Sequence, residues 1–170
     1  MVKAHAHRTD DILTAIRIAR EFNLDITLDH CTEGYLIADV LKEYGYDIIL
    51  GPILTNRSKI ELRKQSLKAA GILSKAGLNV SIMTDHPEVP VQHLMLCAAI
   101  AVREGMDEEE ALKAVTINAA RSVRLDRRIG SIEPGKDADL VLYTGHPFDY
   151  MTKVKMTFIN GKLVYNNQEG

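Results

Sequence analysis

The sequence predicts an α/β fold in which four strand-then-helix units precede a small β-rich tail. Three observations predict it. Short apolar runs alternate with helix-period stripes through the first two-thirds of the chain, and Gly, Pro and Asx residues punctuate the junctions between them. The remaining residues then switch to turn and strand signals alone.

The units can be justified in order. Val2 to His7 reads as a short strand, with Thr9 or Asp10 available to cap a following helix. Ile12, Ala15, Ile16 and Ala19 recur at helical spacing and make one apolar stripe. Leu24 to His30 is the second strand, and Leu36, Val40 and Leu41 belong to a helix that Gly45 can end. Asp47 to Gly51 is an apolar run of the buried-strand kind. Ser58-Lys59-Ile60-Glu61 has the capping-box form and predicts a long helix running to Gly77. Asn79 to Asp85 is the fourth strand. After Pro87 and Pro90, helices are expected from Val91 to Glu104 and from Asp107 to about Ala120. Four such units can form a small doubly wound parallel sheet or half of an eight-fold barrel. In the tail, Ala138 to Tyr143 is a strand. Lys155 to Ile159 and Lys162 to Tyr165 flank Asn160-Gly161, a pair that favours a type I′ hairpin. The boundary falls near residues 125–133, dividing the chain into 1–127 and a β-rich 128–170.

Composition narrows the function classes. A net charge of -2 over 170 residues supplies no basic excess for collecting phosphates, which argues against nucleic-acid binding. No stretch approaches the ~20 apolar residues needed to cross a bilayer, and the N-terminus lacks signal-peptide organisation. Two cysteines, Cys31 and Cys97, are too few for a disulfide framework and have no CxxC partner for a thiolate metal site. A cytoplasmic setting is expected. No GxGxxG or GxxxxGK[ST] motif supports a nucleotide-binding domain.

In parallel α/β folds ligands gather at the carboxyl ends of the strands. Here His5 and His7 close the first predicted strand, His30 the second and Asp85 the fourth. Alternation places His5 and His7 on one face. Neutral imidazoles with a carboxylate suit zinc and similar divalent ions. Asp85 has a second use, capping the turn at Pro87. His86, next to Asp85 and pointing to the opposite side, is expected to support the site from behind or to be structural, and His93 and His146 are expected to be bystanders. Arg8, Tyr35 and Arg57 follow strand ends and suit either a substrate carboxylate or the solvated surface.

These residues carry a family resemblance. VKAHAH, LDH and MTDHP resemble strands five, six and eight of the amidohydrolase superfamily barrel, and GSIEPGKDADLVLYTGHP followed by a strand and NGK resembles its C-terminal β-sandwich segment. The resemblance covers the whole chain and is nearest the imidazolonepropionase-like and Xaa-Pro dipeptidase-like branches. It implies half of a (β/α)8 barrel, strands five to eight, followed by a sandwich fragment. It implies His5, His30 and Asp85 as ligands of one or two divalent ions, most naturally zinc, with His7 as a substrate contact; Arg8, from its place after the first strand end, is expected to be a second. Asp85 would take the proton of the attacking water and return it to the leaving nitrogen of an amide, cyclic amide or dipeptide.

The family's first-strand H-x-H pair and fourth-strand lysine or glutamate have no counterpart here. A complete barrel needs ~250 residues. A truncated half-barrel is therefore expected, with edges near residues 2–7 and 79–85 and an open inner apolar face that favours homo-oligomers. Alone, the chain is expected to do little chemistry. The alternative is a catalytically silent half-barrel module that oligomerises.

Overall fold

The computed structural model of the chain describes residues 1–167. The last three residues of the 128–170 segment lie outside the described residues. Four strands, β1 (Val2–Ala6), β2 (Ile26–His30), β3 (Asp47–Leu50) and β4 (Val80–Ile82), form one parallel sheet in the order β1-β2-β3-β4. The α/β class and the parallel sheet are as expected. Within this sheet β1 and β4 are the outer strands.

Register and alternation sort the side chains between two faces. Ala4, Ala6, Leu28, Ile48, Leu50, Val80 and Ile82 join the hydrophobic core with the helices. Lys3, His5, Thr27, Asp29, Asp47, Ile49 and Ser81 share the other face. That face was expected to be apolar. It is polar apart from Ile49, because the core of this chain lies wholly on the helix side of the sheet.

Helix α1 (Thr9–Glu21) buries Ile12, Ile16 and Ala19 along the predicted stripe. Its cap differs from expectation. Arg8 is the N-cap residue and gives no side-chain cap, and the Glu33 carboxylate accepts from the Thr9 N–H (3.0 Å) and hydroxyl (3.3 Å) instead. A carboxylate beside the positive end of a helix is electrostatically favoured. Helix α2 (Ala38–Tyr44) ends at Gly45, whose φ of 69° uses the left-handed region open to glycine.

The largest departure lies between β3 and the next helix. The capping box does not open a long helix. The segment holds only a 3-10 turn over Ile60–Leu62, and α3 (Ala69–Lys75) begins well after it. The reason is visible at Glu61. Instead of reaching back to cap the chain at Ser58, its carboxylate lies 3.9 Å from Lys59 Nζ and 3.7 Å from His7 Nε2. The Lys59 ammonium and the polar His7 ring take the carboxylate that the local cap would use.

Helix α4 (Leu94–Arg103) follows a 3-10 turn, and the last predicted helix is two, α5 (Glu108–Ala114) and α6 (Ile117–Ser122). Asp107 caps α5 as expected, accepting from the N–H groups of Glu109 and Glu110. The break falls at Thr116, whose hydroxyl bonds back to the Leu112 carbonyl and whose backbone leaves the helical region.

The tail forms a separate antiparallel sheet of β5 (Leu140–Tyr143), β6 (Val154–Ile159) and β7 (Lys162–Asn166). Asn160 and Gly161 both have positive φ, 50° and 73°, as a type I′ hairpin requires. Phe148 packs against the hydrophobic core of the first sheet. Among the described residues, no helix is long and apolar enough to cross a membrane.

Candidate metal centre

Three imidazoles meet at the carboxyl ends of β1 and β2. The ligand-capable atoms of His5, His7 and His30 all lie within 4.8 Å of one another. Their ring centroids are 4.1 Å apart for His5 and His30, 4.6 Å for His7 and His30, and 4.8 Å for His5 and His7.

The backbone explains how they converge. Regular alternation would send His30 to the helix side of the sheet with Leu28. His30 instead has φ of 67°, and Cys31 follows at 45°, so the strand turns where the ring meets His5. Non-glycine residues in this region are uncommon and concentrate at functional sites. Asp85 shares the feature, with φ of 54° three residues past the end of β4.

Hydrogen bonds then fix the ring orientations. His30 Nδ1 lies 2.7 Å from the Gly51 carbonyl, which can only accept, so Nδ1 carries the proton and Nε2 keeps its lone pair. His7 Nδ1 lies 2.8 Å from the Thr32 hydroxyl. Such outer partners are the usual means of aiming a metal-ligating imidazole. The His7 and His5 Nε2 atoms face one another at 3.0 Å. Burial pushes the His7 imidazolium down to about 4, with the His30 ring adding to the effect and Glu61 opposing it. His7 is therefore neutral near pH 7, the form that ligates.

These residues fit a divalent ion. Three nitrogens converge, and two of the rings have their far nitrogens already engaged. Without a cation, two facing Nε2 atoms must share one proton. An ion removes that conflict and takes up the lone pairs.

The predicted residues are placed as follows. His5 and His30 come together, and His7 joins them as a third nitrogen donor. Asp85 is exposed and lines the same cleft of about 90 Å³ without belonging to the triad. Arg8 is exposed, paired with Asp10 through Nε at 3.0 Å, and lies outside the residues lining that cleft. Tyr35 and Arg57 bond to the Lys64 and Gln65 carbonyls and line a neighbouring cleft. His86 and His93 are exposed, and His146 lies beside Glu108 at 3.3 Å, away from the triad. Both cysteines are free and buried, and burial pushes the Cys31 thiol up to about 12.

Sequence reasoning missed Thr32, Gly51 and Glu61. The first two act through a hydroxyl and a carbonyl more than 20 residues from the histidines they hold. No local motif signals such a contact.

The chain as a whole is similar to known proteins. The model described as "Amidohydrolase family" matches residues 2–164. The imidazolonepropionase of Thermoplasma acidophilum is 35% identical over 136 residues, covering 75% of this chain and 32% of that protein. An amidohydrolase of Thermotoga maritima MSB8 superposes with a TM-score of 0.94 at 46% identity, over 97% of this chain and 43% of that one. A Xaa-Pro dipeptidase with bound methionine in its active site, 22% identical with a TM-score of 0.75, shares the fold over 97% of this chain and 44% of its own. The chain thus spans about a third of this curated relative and under half of these structures.

Proposed function

The chain belongs to the amidohydrolase family, and from that premise we propose that it supplies part of a metal-dependent site for hydrolysing a C–N bond. The convergence of His5, His7 and His30 carries this reading. His5 and His30 would hold a divalent ion together with Asp85, which lines the same cleft. Zinc is the ion that imidazole and carboxylate donors favour most naturally among the abundant candidates.

When bound, the ion supplies Lewis acidity, polarising a carbonyl and making water a nucleophile near neutral pH. The chain's own groups do the rest. Gly51 and Thr32 orient the His30 and His7 rings. Asp85 accepts a proton at the cleft and returns it to the departing nitrogen. His7 contacts the substrate from the buried side of the cleft. Arg8 would join it only by leaving Asp10, the salt bridge it makes in this structure.

The substrate class is a small amide, cyclic amide or dipeptide. The same premise makes residues 1–127 strands five to eight of a (β/α)8 barrel and 128–170 part of a β-sandwich. The high structural likeness to the Thermotoga protein over under half its length supports this. Outer strands β1 and β4 then become joining edges, and the chain assembles with a second copy or with the rest of a barrel.

The test is metal analysis of the full chain purified without chelator. About one equivalent of zinc is expected. Less than about a tenth of an equivalent, after reconstitution with zinc, contradicts the site.

A further inference from the structure

We propose that the segment between β3 and α3 builds a binding site for a phosphate-type oxyanion, beside the histidine cleft and distinct from it. The proposal does not rest on the metal reading. In a chain of net charge -2, residues 57–68 carry Arg57, Lys59, Arg63, Lys64 and Lys68 against one acid, Glu61. A cleft of about 540 Å³ opens at this segment, lined by Tyr35, Arg57, Lys64, Gln65, Lys68 and Glu104 among others.

The charges in that wall are poorly compensated. Arg57 donates to the Gln65 carbonyl at 2.8 Å, and among the described residues neither Arg57 nor Lys68 has an ion-pair partner within 4.0 Å. Lys64 reaches Glu33 only at 4.0 Å. Glu104, the one carboxylate on the wall, is already neutralised by Arg103 at 3.1 Å. Three cations around one opening repel each other, and a dianion relieves that repulsion where a monoanion does so only in part. The planar fork of Arg57 keeps N–H groups free for phosphate oxygens. Thr55 and Gln65 line both this cleft and the histidine cleft, so an anion held here braces a wall of the candidate metal centre.

The experiment titrates inorganic phosphate into the full, chelator-treated chain at low ionic strength, followed by amide chemical shifts. Saturable binding with Kd of about 1 mM is expected, with the moving resonances in residues 55–68. Lys68→Gln should weaken it at least threefold, and R57K/K68Q about tenfold, with unchanged circular dichroism. His5→Ala should leave it unaltered. A parallel titration with glycerol phosphate identifies the source: tighter binding than inorganic phosphate assigns the site to a phosphorylated ligand, and equal or weaker binding to the free ion. Non-saturable shifts, wild-type affinity in R57K/K68Q, or loss of binding in His5→Ala would each overturn the proposal.

Discussion

The two ends of the parallel sheet both gather polar side chains, and they differ in how those groups are satisfied. At the amino ends, Arg124 binds Asp25 and Asp47, and Asn79 donates to Asp47 at 2.9 Å. Ser81 and Ser122 share a hydrogen bond at 3.1 Å, and Asn118 donates to the Val80 carbonyl at 3.1 Å. This network closes on itself except at one atom. Asn79 Oδ1 is the one buried side-chain polar atom without a partner among the described residues. At the carboxyl ends, the protein satisfies the far nitrogens of His7 and His30 and leaves the near ones facing a shared point. A closed network is stability. A convergent set of nitrogens with more lone pairs than protons is a receptor.

The contrast yields predictions of graded size. The largest effect is expected at the carboxyl end. His30→Ala should lower zinc affinity at least a hundredfold, read by competition with a chelating dye, while the thermal midpoint without metal falls only modestly. Equal zinc affinity in wild type and variant would remove His30 from the site. Ser122→Ala should do the reverse. Ser122 is fully buried, and its loss strips Ser81 and Asn79 of a partner, costing about 1–3 kcal/mol in urea denaturation with zinc affinity unchanged.

A smaller effect, with a pH signature, is expected for Arg124→Met. Its partners are partly solvated, so screening limits the loss to about 1 kcal/mol. Arg124 holds the Asp25 carboxyl below the ordinary carboxylate range. A depressed folded-state pKa contributes stability above the unfolded value and loses it as pH falls through the folded one. The wild-type advantage in thermal midpoint should therefore be full at pH 6 to 7, shrink below about pH 4, and vanish in stronger acid. A difference that persists undiminished into strong acid would show that Arg124 acts by packing alone.

Assembly is a further test. Light scattering should find a dimer or larger species, because β1 and β4 are outer strands of an open sheet. A well-folded monomer would mean those edges are covered within one chain.

Much of the fold was legible because its signals are local. The α1 stripe, the Asp107 cap, Gly45 as helix stop and the Asn160-Gly161 hairpin each depend on neighbours a few residues away. The failures share a cause as well. The capping box at Ser58 lost to the Lys59 ammonium and the neutral His7 ring, and the α1 cap was supplied by Glu33 from 24 residues away. The inner face was expected to be apolar, yet alternation along Lys3, His5, Thr27 and Asp29 makes it polar. At the site, strand ends located the histidines, and His5 and His7 do meet as alternation predicts, although the strand is no longer regular at His7. β1 ends at Ala6, and the approach of His30 depends on left-handed backbone at His30 and Cys31, which no periodicity reveals.

The central claim is that the Nε2 atoms of these rings form a metal receptor. Long-range proton–nitrogen spectra of the imidazoles, recorded while zinc is added to the full chain, test it most directly. The account predicts that His30 starts with its proton on Nδ1, and that the Nε2 resonances of His5 and His30 move together and saturate near one equivalent. Whether His7 Nε2 moves with them separates a third ligand from a substrate contact. Zinc addition that leaves the His5 and His30 Nε2 resonances in place, or that moves His30 through Nδ1, would contradict it.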